Sequence, residues 1–248
     1  MLYNGGKEKT RGEPRLTEVA VVPKNGAPAV TVICGHYGAG KTNVAVNLAI
    51  ASRRTGRATY LADVDIVNPY FRAADAAEML RREGVEPLIP LFANSNVDIP
   101  ALPPLLTSLI EGCGNEKIVV DVGGDDGAVV LGRYAEAIRR RGYEMICVVN
   151  RFRPLTASPE DAVEGTREIE AASGLRVTGI VNNSSLGEET SPEDILGSVP
   201  YAEEIARLLE VPLVGHAFIP EITGDLSEDR RFTGLTLIPM KRATKSLF

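Results

Sequence analysis

Residues 35–42 read Gly35-His36-Tyr37-Gly38-Ala39-Gly40-Lys41-Thr42 and fit the pattern G-x-x-x-x-G-K-[ST] in full. An apolar run, Val30 to Cys34, precedes them. A stretch from Thr42 to Arg53 follows, with Val44, Ala45, Leu48 and Ala49 on one helical face. The octapeptide is therefore expected to join a buried strand to an amphipathic helix. Gly38 and Gly40 permit a loop whose backbone N–H groups converge on anionic oxygens. The helix that opens there offers its positive end to the same anion. Gly35, Gly38, Ala39, Gly40, Lys41, Thr42 and Asn43 form the expected phosphate cradle. Lys41 supplies a point charge for the outer phosphates, and the Thr42 hydroxyl is an expected ligand of Mg²⁺.

The same alternation continues down the chain. Apolar runs at Ala58–Ala62, Pro87–Phe92, Lys117–Val122, Glu144–Val149, Val177–Val181 and Leu213–Ile219 read as strands. Helical patterns stand between them at Tyr70–Arg82, Pro104–Ile110, Ala128–Arg140, a stretch to about Ala172, and Tyr201–Leu209. Ser158-Pro159-Glu160-Asp161 and Ser191-Pro192-Glu193-Asp194 are helix starts: a capping serine, proline in the first turn, and acids at the positive end of the dipole. Strands alternating with helices of about 10–14 residues call for crossover connections. The expected fold is α/β: a doubly wound, mostly parallel sheet with helices on both faces, a three-layer sandwich. Residues 1–28, rich in Gly and Pro, read as a loose leader with a possible edge strand at Val19–Val22. Residues 29–248 read as one domain.

In this architecture ligands sit beyond the carboxyl ends of the strands. The loops after Cys34, Ala62, Val122, Val149 and Val181 are therefore the first places to look for chemistry. Two of them are acidic. Asp121 ends Ile118-Val119-Val120-Asp121 and is the expected second Mg²⁺ ligand; helix capping is its structural alternative. Asp63 and Asp65 follow the second strand, where Asp65 is placed to orient an attacking water and loop capping is the alternative. Gly124 is placed to offer its N–H to a γ-phosphate, and Asp125 and Asp126 are further candidates for water contact.

Composition narrows the function classes. Of 248 residues, 27 are basic and 33 acidic, a formal net charge of -6, and there is no tryptophan. A general nucleic-acid coat and base-stacking platforms are poor fits. Cys34, Cys113 and Cys147 form no C-x-x-C pair, which argues against a disulfide scaffold or a zinc or iron–sulfur site built by one chain. No run approaches the about 18 apolar residues of a membrane helix, and no signal-peptide core is visible at the start. A reducing cytoplasm is the expected setting. His216 has no Cys or His nearby to share a metal, and Arg139-Arg140-Arg141 sits where cations favour a helix end. Residues 94–104, polar and then rich in proline, are either a partner-facing loop or a connection.

Together, GHYGAGKT, LADVDIVNPYFR and IVVDVGGDD resemble the MinD/ParA/CobQ-type branch of P-loop NTPases over roughly residues 29–220. The resemblance implies Mg²⁺-dependent ATP hydrolysis and, in many members, ATP-driven dimerisation. It implies that Asp65 acts near the attacking water. It also implies that an Asn after a late strand recognises adenine, for which Asn182 is the candidate and a turn Asn the alternative. No N-K-x-D guanine signature is present, so ATP is expected rather than GTP. MinD- and ParA-like proteins carry a second lysine early in the loop; this chain has His36 there. A shorter, mostly neutral side chain does not copy that contact. Arg72, Arg151 and Arg153 are the cations available to act in trans, with a surface salt bridge the structural alternative for each. The tail 235–248 mixes apolar and basic residues, but Pro239 interrupts an amphipathic helix, so membrane attachment is not expected.

The expected function is a cytoplasmic Mg²⁺-ATPase whose nucleotide state controls an unidentified protein partner or its own dimer. An ATP-dependent ligase of the dethiobiotin synthetase or cobyric acid synthase type, acting on a small carboxylate, is the alternative. A nucleotide-binding adaptor that scarcely hydrolyses is a third.

Overall fold

The computed structural model describes residues 28–64, 77–88 and 104–243. Among these residues, eight parallel strands make one sheet in the order β3-β2-β4-β1-β5-β6-β7-β8. They are β1 (Val30–Cys34), β2 (Thr59–Asp63), β3 (Val85–Leu88), β4 (Lys117–Asp121), β5 (Tyr143–Val149), β6 (Gly179–Asn182), β7 (Leu213–Phe218) and β8 (Leu237–Pro239). The helices are α1 (Lys41–Arg54), α2 (described over 77–82), α3 (Pro104–Glu111), α4 (Gly124–Gly132), α5 (Ala135–Arg141), α6 (Pro159–Ser173), α7 (Pro192–Gly197), α8 (Val199–Leu209) and α9 (Pro220–Thr223).

The central strands β1, β4 and β6 are buried along their whole length because both sheet faces are covered, as in other parallel sheets. Side chains alternate between the faces. Val30, Val32 and Cys34 of β1 join Ile118, Val120, Met145 and Cys147 in a core beneath α3, α4, α5, α6 and α8. Ile33, Val119, Ile146, Val148 and Val181 point the other way, into a core with α1, α2 and Met240. Two serines begin helices as the sequence leads one to expect. Ser158 accepts from Asp161 N at 3.1 Å, and Ser191 closes a reciprocal capping box with Asp194.

Two expectations needed adjustment. The helix expected over Ala128–Arg140 is two helices, α4 and α5, broken at Arg133 and Tyr134. Leu235–Ile238, an apolar run that reads as a short strand, forms one displaced to Leu237–Pro239, which pairs in parallel with β7. The expected edge strand Val19–Val22, most of the helix 70–82, residues 94–103 and the end of the tail lie outside the described residues. Among those described, no helix is long and apolar enough to cross a membrane.

Candidate functional site

β1 is central, flanked by β4 and β5, so whatever follows Cys34 emerges in the middle of the sheet's carboxyl edge. The loop there depends on its glycines. Gly35, Gly38 and Gly40 have φ of 135°, 78° and 87°, a region that L side chains avoid. A Cβ on Gly35 would lie 2.3 Å from Val148 O, and one on Gly40 2.2 Å from Asn183 Nδ2. Ala39 N donates to His36 O at 3.2 Å, and α1 starts at Lys41 directly after left-handed Gly40. Lys41 is 4% exposed, and its Nζ donates to His36 O at 3.1 Å, curled over the loop it would share with a phosphate.

The acidic strand ends fall beside it. Ile33 registers with Asp121, and Asp121 with Asp63 across β4 and β2. By the period of two, both carboxylates face the side of the sheet that carries α1. Asp63 is 8% and Asp121 5% exposed. Thr42 occupies the first turn of α1, and the set of hydroxyl and carboxylate oxygens suits a hard, oxygen-seeking divalent cation. Gly124 is the first residue of α4, behind Gly123 as its cap. Asp65 and Arg72 lie outside the described residues.

On the other side of the loop a cleft of about 190 Å³ opens. Gly38, Gly40 and Asn43 form one wall, and Asn150 and Arg153 from the turn after β5 form another. Asn183, Ser184, Ser185, Gly187 and Thr190 follow β6, while Phe218 ends β7 and Ile219, Ile222 and Thr223 follow it. Arg242 reaches in from the segment after β8. That segment is strapped to α1 by two asparagines. Asn47 exchanges two 2.8 Å bonds with the backbone of Lys241, and Asn43 Oδ1 accepts from Ala243 N at 2.8 Å. Arg242 also pairs with Glu188, across the cleft mouth.

Asn182 is not brought to this cleft. It is 1% exposed, and its Nδ2 donates to Ser198 Oγ at 2.8 Å and His216 Nδ1 at 3.0 Å. Its Oδ1 accepts from Ser184 N and Oγ. Strand alternation turns Asn182 toward the α8 face, and the next residue, Asn183, toward the loop after β1. There Asn183 Nδ2 donates to Ala39 O at 2.7 Å. Sequence reasoning missed Asn183, the wall after β7 and the strap. The carboxyl-end rule, applied also to the strand ending at Phe218, would have found the wall.

Other candidates are absorbed by the fold. His216 is buried, which lowers its pKa and keeps the ring neutral. Arg139 donates to Gly174 O, Arg140 pairs with Glu136, and Arg141 pairs with Glu116 at 2.8 Å. Arg151 donates to Gly197 O. Cys34 and Cys147, partners in register beneath the loop, are free buried thiols; the hydrogen bond between them and burial hold the Cys34 pKa well up.

No model of a known protein family matches the chain, and no curated protein matches it in sequence. Solved structures do resemble it. The cell division protein FtsY from Thermotoga maritima matches at 17% identity and a TM-score of 0.50, over 81% of this chain and 64% of that one. Chloroplast FtsY from Physcomitrella patens matches at 18% and 0.52, over 81% and 63%. The signal recognition particle 54 kDa protein from Aeropyrum pernix K1, in complex with GDP, matches at 15% and 0.50, over 81% and 43%. The chain thus spans less than two thirds of the length of each of these three. At such identities the likeness is one of fold: an α/β domain with an eight-stranded parallel sheet, like the domains of P-loop NTPases.

Proposed function

We propose that the chain is a Mg²⁺-dependent ATP-binding protein and ATPase of the MinD/ParA-like type, whose nucleotide state controls a partner or its own dimer. The observation that carries this reading is the juxtaposition at the end of β1. A glycine-shaped loop with a buried lysine lies between two buried carboxylates on one side and a cleft on the other. Lys41 would hold the outer phosphates. Thr42 and Asp121 would hold Mg²⁺, which when bound neutralises charge developing on the phosphates. Asp65 would orient the attacking water, and the N–H of Gly124 would meet the γ-phosphate. The base would enter the cleft between the apolar wall of Phe218, Ile219 and Ile222 and the polar residues after β6. There Asn183 Oδ1 offers an acceptor to an exocyclic amine.

The chain after β6 reads Asn182-Asn183-Ser184-Ser185-Leu186, and the described lining residues include no carboxylate. Guanine presents two adjacent donors that a carboxylate satisfies, whereas adenine presents a donor beside an acceptor. This supports ATP. GDP in the Aeropyrum pernix protein makes guanine nucleotides the comparison to run. Titration calorimetry with ATP and GTP in Mg²⁺, alongside turnover assays, tests the reading. Lys41→Ala is expected to abolish ATP binding, and Asp65→Ala to keep binding and lose hydrolysis. No heat with any purine triphosphate, or undiminished turnover in both variants, would overturn it.

A further inference from the structure

The turn after β5 is tightly built. Arg153 N donates to Asn150 O at 3.2 Å, Thr156 Oγ1 donates to the same oxygen at 2.9 Å, and Asn150 Oδ1 accepts from Phe152 N at 3.0 Å. A second set ties the turn to the segment after β6, where Asn150 Nδ2 donates to Ser185 O at 3.1 Å. The root of the Arg153 side chain is therefore fixed. From there it reaches back over the phosphate loop, and its Nε donates to Gly38 O at 2.9 Å. The guanidinium lies so close to Gly38 that a Cβ there would meet Nε at 3.1 Å and Cζ at 3.5 Å.

Only Nε is engaged. Among the described residues, neither Nη group of Arg153 has a hydrogen bond or a carboxylate partner. This sets it apart from its neighbours. Arg242 in the same cleft pairs with Glu188, and Arg151 in the same turn donates to Gly197 O and lies over the Phe152 ring. A half-buried, always charged fork with free donors, lining a cleft whose described walls hold no carboxylate, is arranged for an anion.

We propose that Arg153 is a phosphate-binding residue acting in cis, its Nε bracing the loop through Gly38 O and its two Nη groups donating to phosphate oxygens of the nucleotide's diphosphate. This rests on the nucleotide-binding reading above and deepens it. The cation sought for a partner's nucleotide already serves its own loop. The contact involves the diphosphate, so ADP and ATP lose equally when it is removed.

The test is calorimetry on the full chain in Mg²⁺ with ADP, ATP and inorganic pyrophosphate, at protein concentrations where the chain is monomeric. Arg153→Gln keeps a donor for Gly38 O and removes the charge and the fork. It is expected to weaken all three ligands by about 10- to 100-fold, the range of lost charge-assisted hydrogen bonds. Arg153→Lys, which keeps the charge, should weaken them less, and it carries the comparison if the Gln variant does not fold. Binding of ADP and pyrophosphate within about twofold of the wild type would overturn the proposal while leaving the nucleotide reading intact. So would a loss for ADP without one for pyrophosphate, which would move the guanidinium to the ribose. A loss confined to concentrations where the chain is dimeric would place Arg153 in trans and refute the cis contact. A wild-type chain that binds none of the three removes both readings.

Discussion

His216 is 2% exposed on β7, and its Nδ1 accepts a hydrogen from Asn182 Nδ2, which requires that nitrogen to be unprotonated. Burial lowers its pKa below the ordinary value of about 6.5. As pH falls through that value the unfolded chain gains a proton that the native ring refuses. Stability therefore falls as pH drops from the ordinary value toward the lower native pKa. The chain has only two histidines, so the comparison is clean. Urea unfolding at pH 7.0 and 5.5 should show this loss in the wild type and a smaller one in His216→Gln, whatever that variant costs at neutral pH. Equal losses in both would show that His216 is not the group responsible. The glycines of the loop were legible residue by residue, because a turn through positive φ needs their backbone freedom whatever surrounds it. The two asparagines at the end of β6 were not. Asn182 and Asn183 offer the same chemistry one position apart, and a strand sends successive side chains to opposite faces.

Helix starts were similarly legible, since a capping serine and a first-turn proline act within four residues. The break between α4 and α5 was not, and it falls where another helix packs closely against the chain. Gly132 ends α4 against the end of α6, and a Cβ there would lie 2.8 Å from Ala172 O. Gly132→Ala should therefore destabilise the fold by about 1–3 kcal/mol, the usual cost of overpacking. Gly165, inside α6, has nothing within 4 Å of its Cβ position. Gly165→Ala should stabilise by about 0.5–1 kcal/mol through helix propensity alone. Chemical denaturation of the two variants checks both signs. A stabilising Gly132→Ala would mean that the approach of α4 to α6 leaves room for a methyl group at Gly132.

For the molecule as a whole, the nucleotide should act as a folding ligand. The loop, the acidic strand ends and the cleft are drawn from β1, β2, β4, β5, β6, β7 and the segment after β8, and an unfolded chain assembles none of them. At 100 times its dissociation constant, Mg²⁺-ATP should add about 2.7 kcal/mol of stability. For a chain of this size that corresponds to roughly 5–10 °C in Tm. Lys41→Ala should show no such rise in a thermal melt; a rise retained in that variant would place binding elsewhere. Alternating strand and helix signals and a single octapeptide were enough to determine a parallel α/β sheet with a glycine-shaped loop at the end of β1, because those signals depend on interactions within a few residues. Strand order, the direction each loop residue faces, the strap on α1 and the reach of Arg153 to Gly38 were decided only by tertiary structure. Each depends on which distant segments pair across the sheet, and local chemistry does not encode that choice.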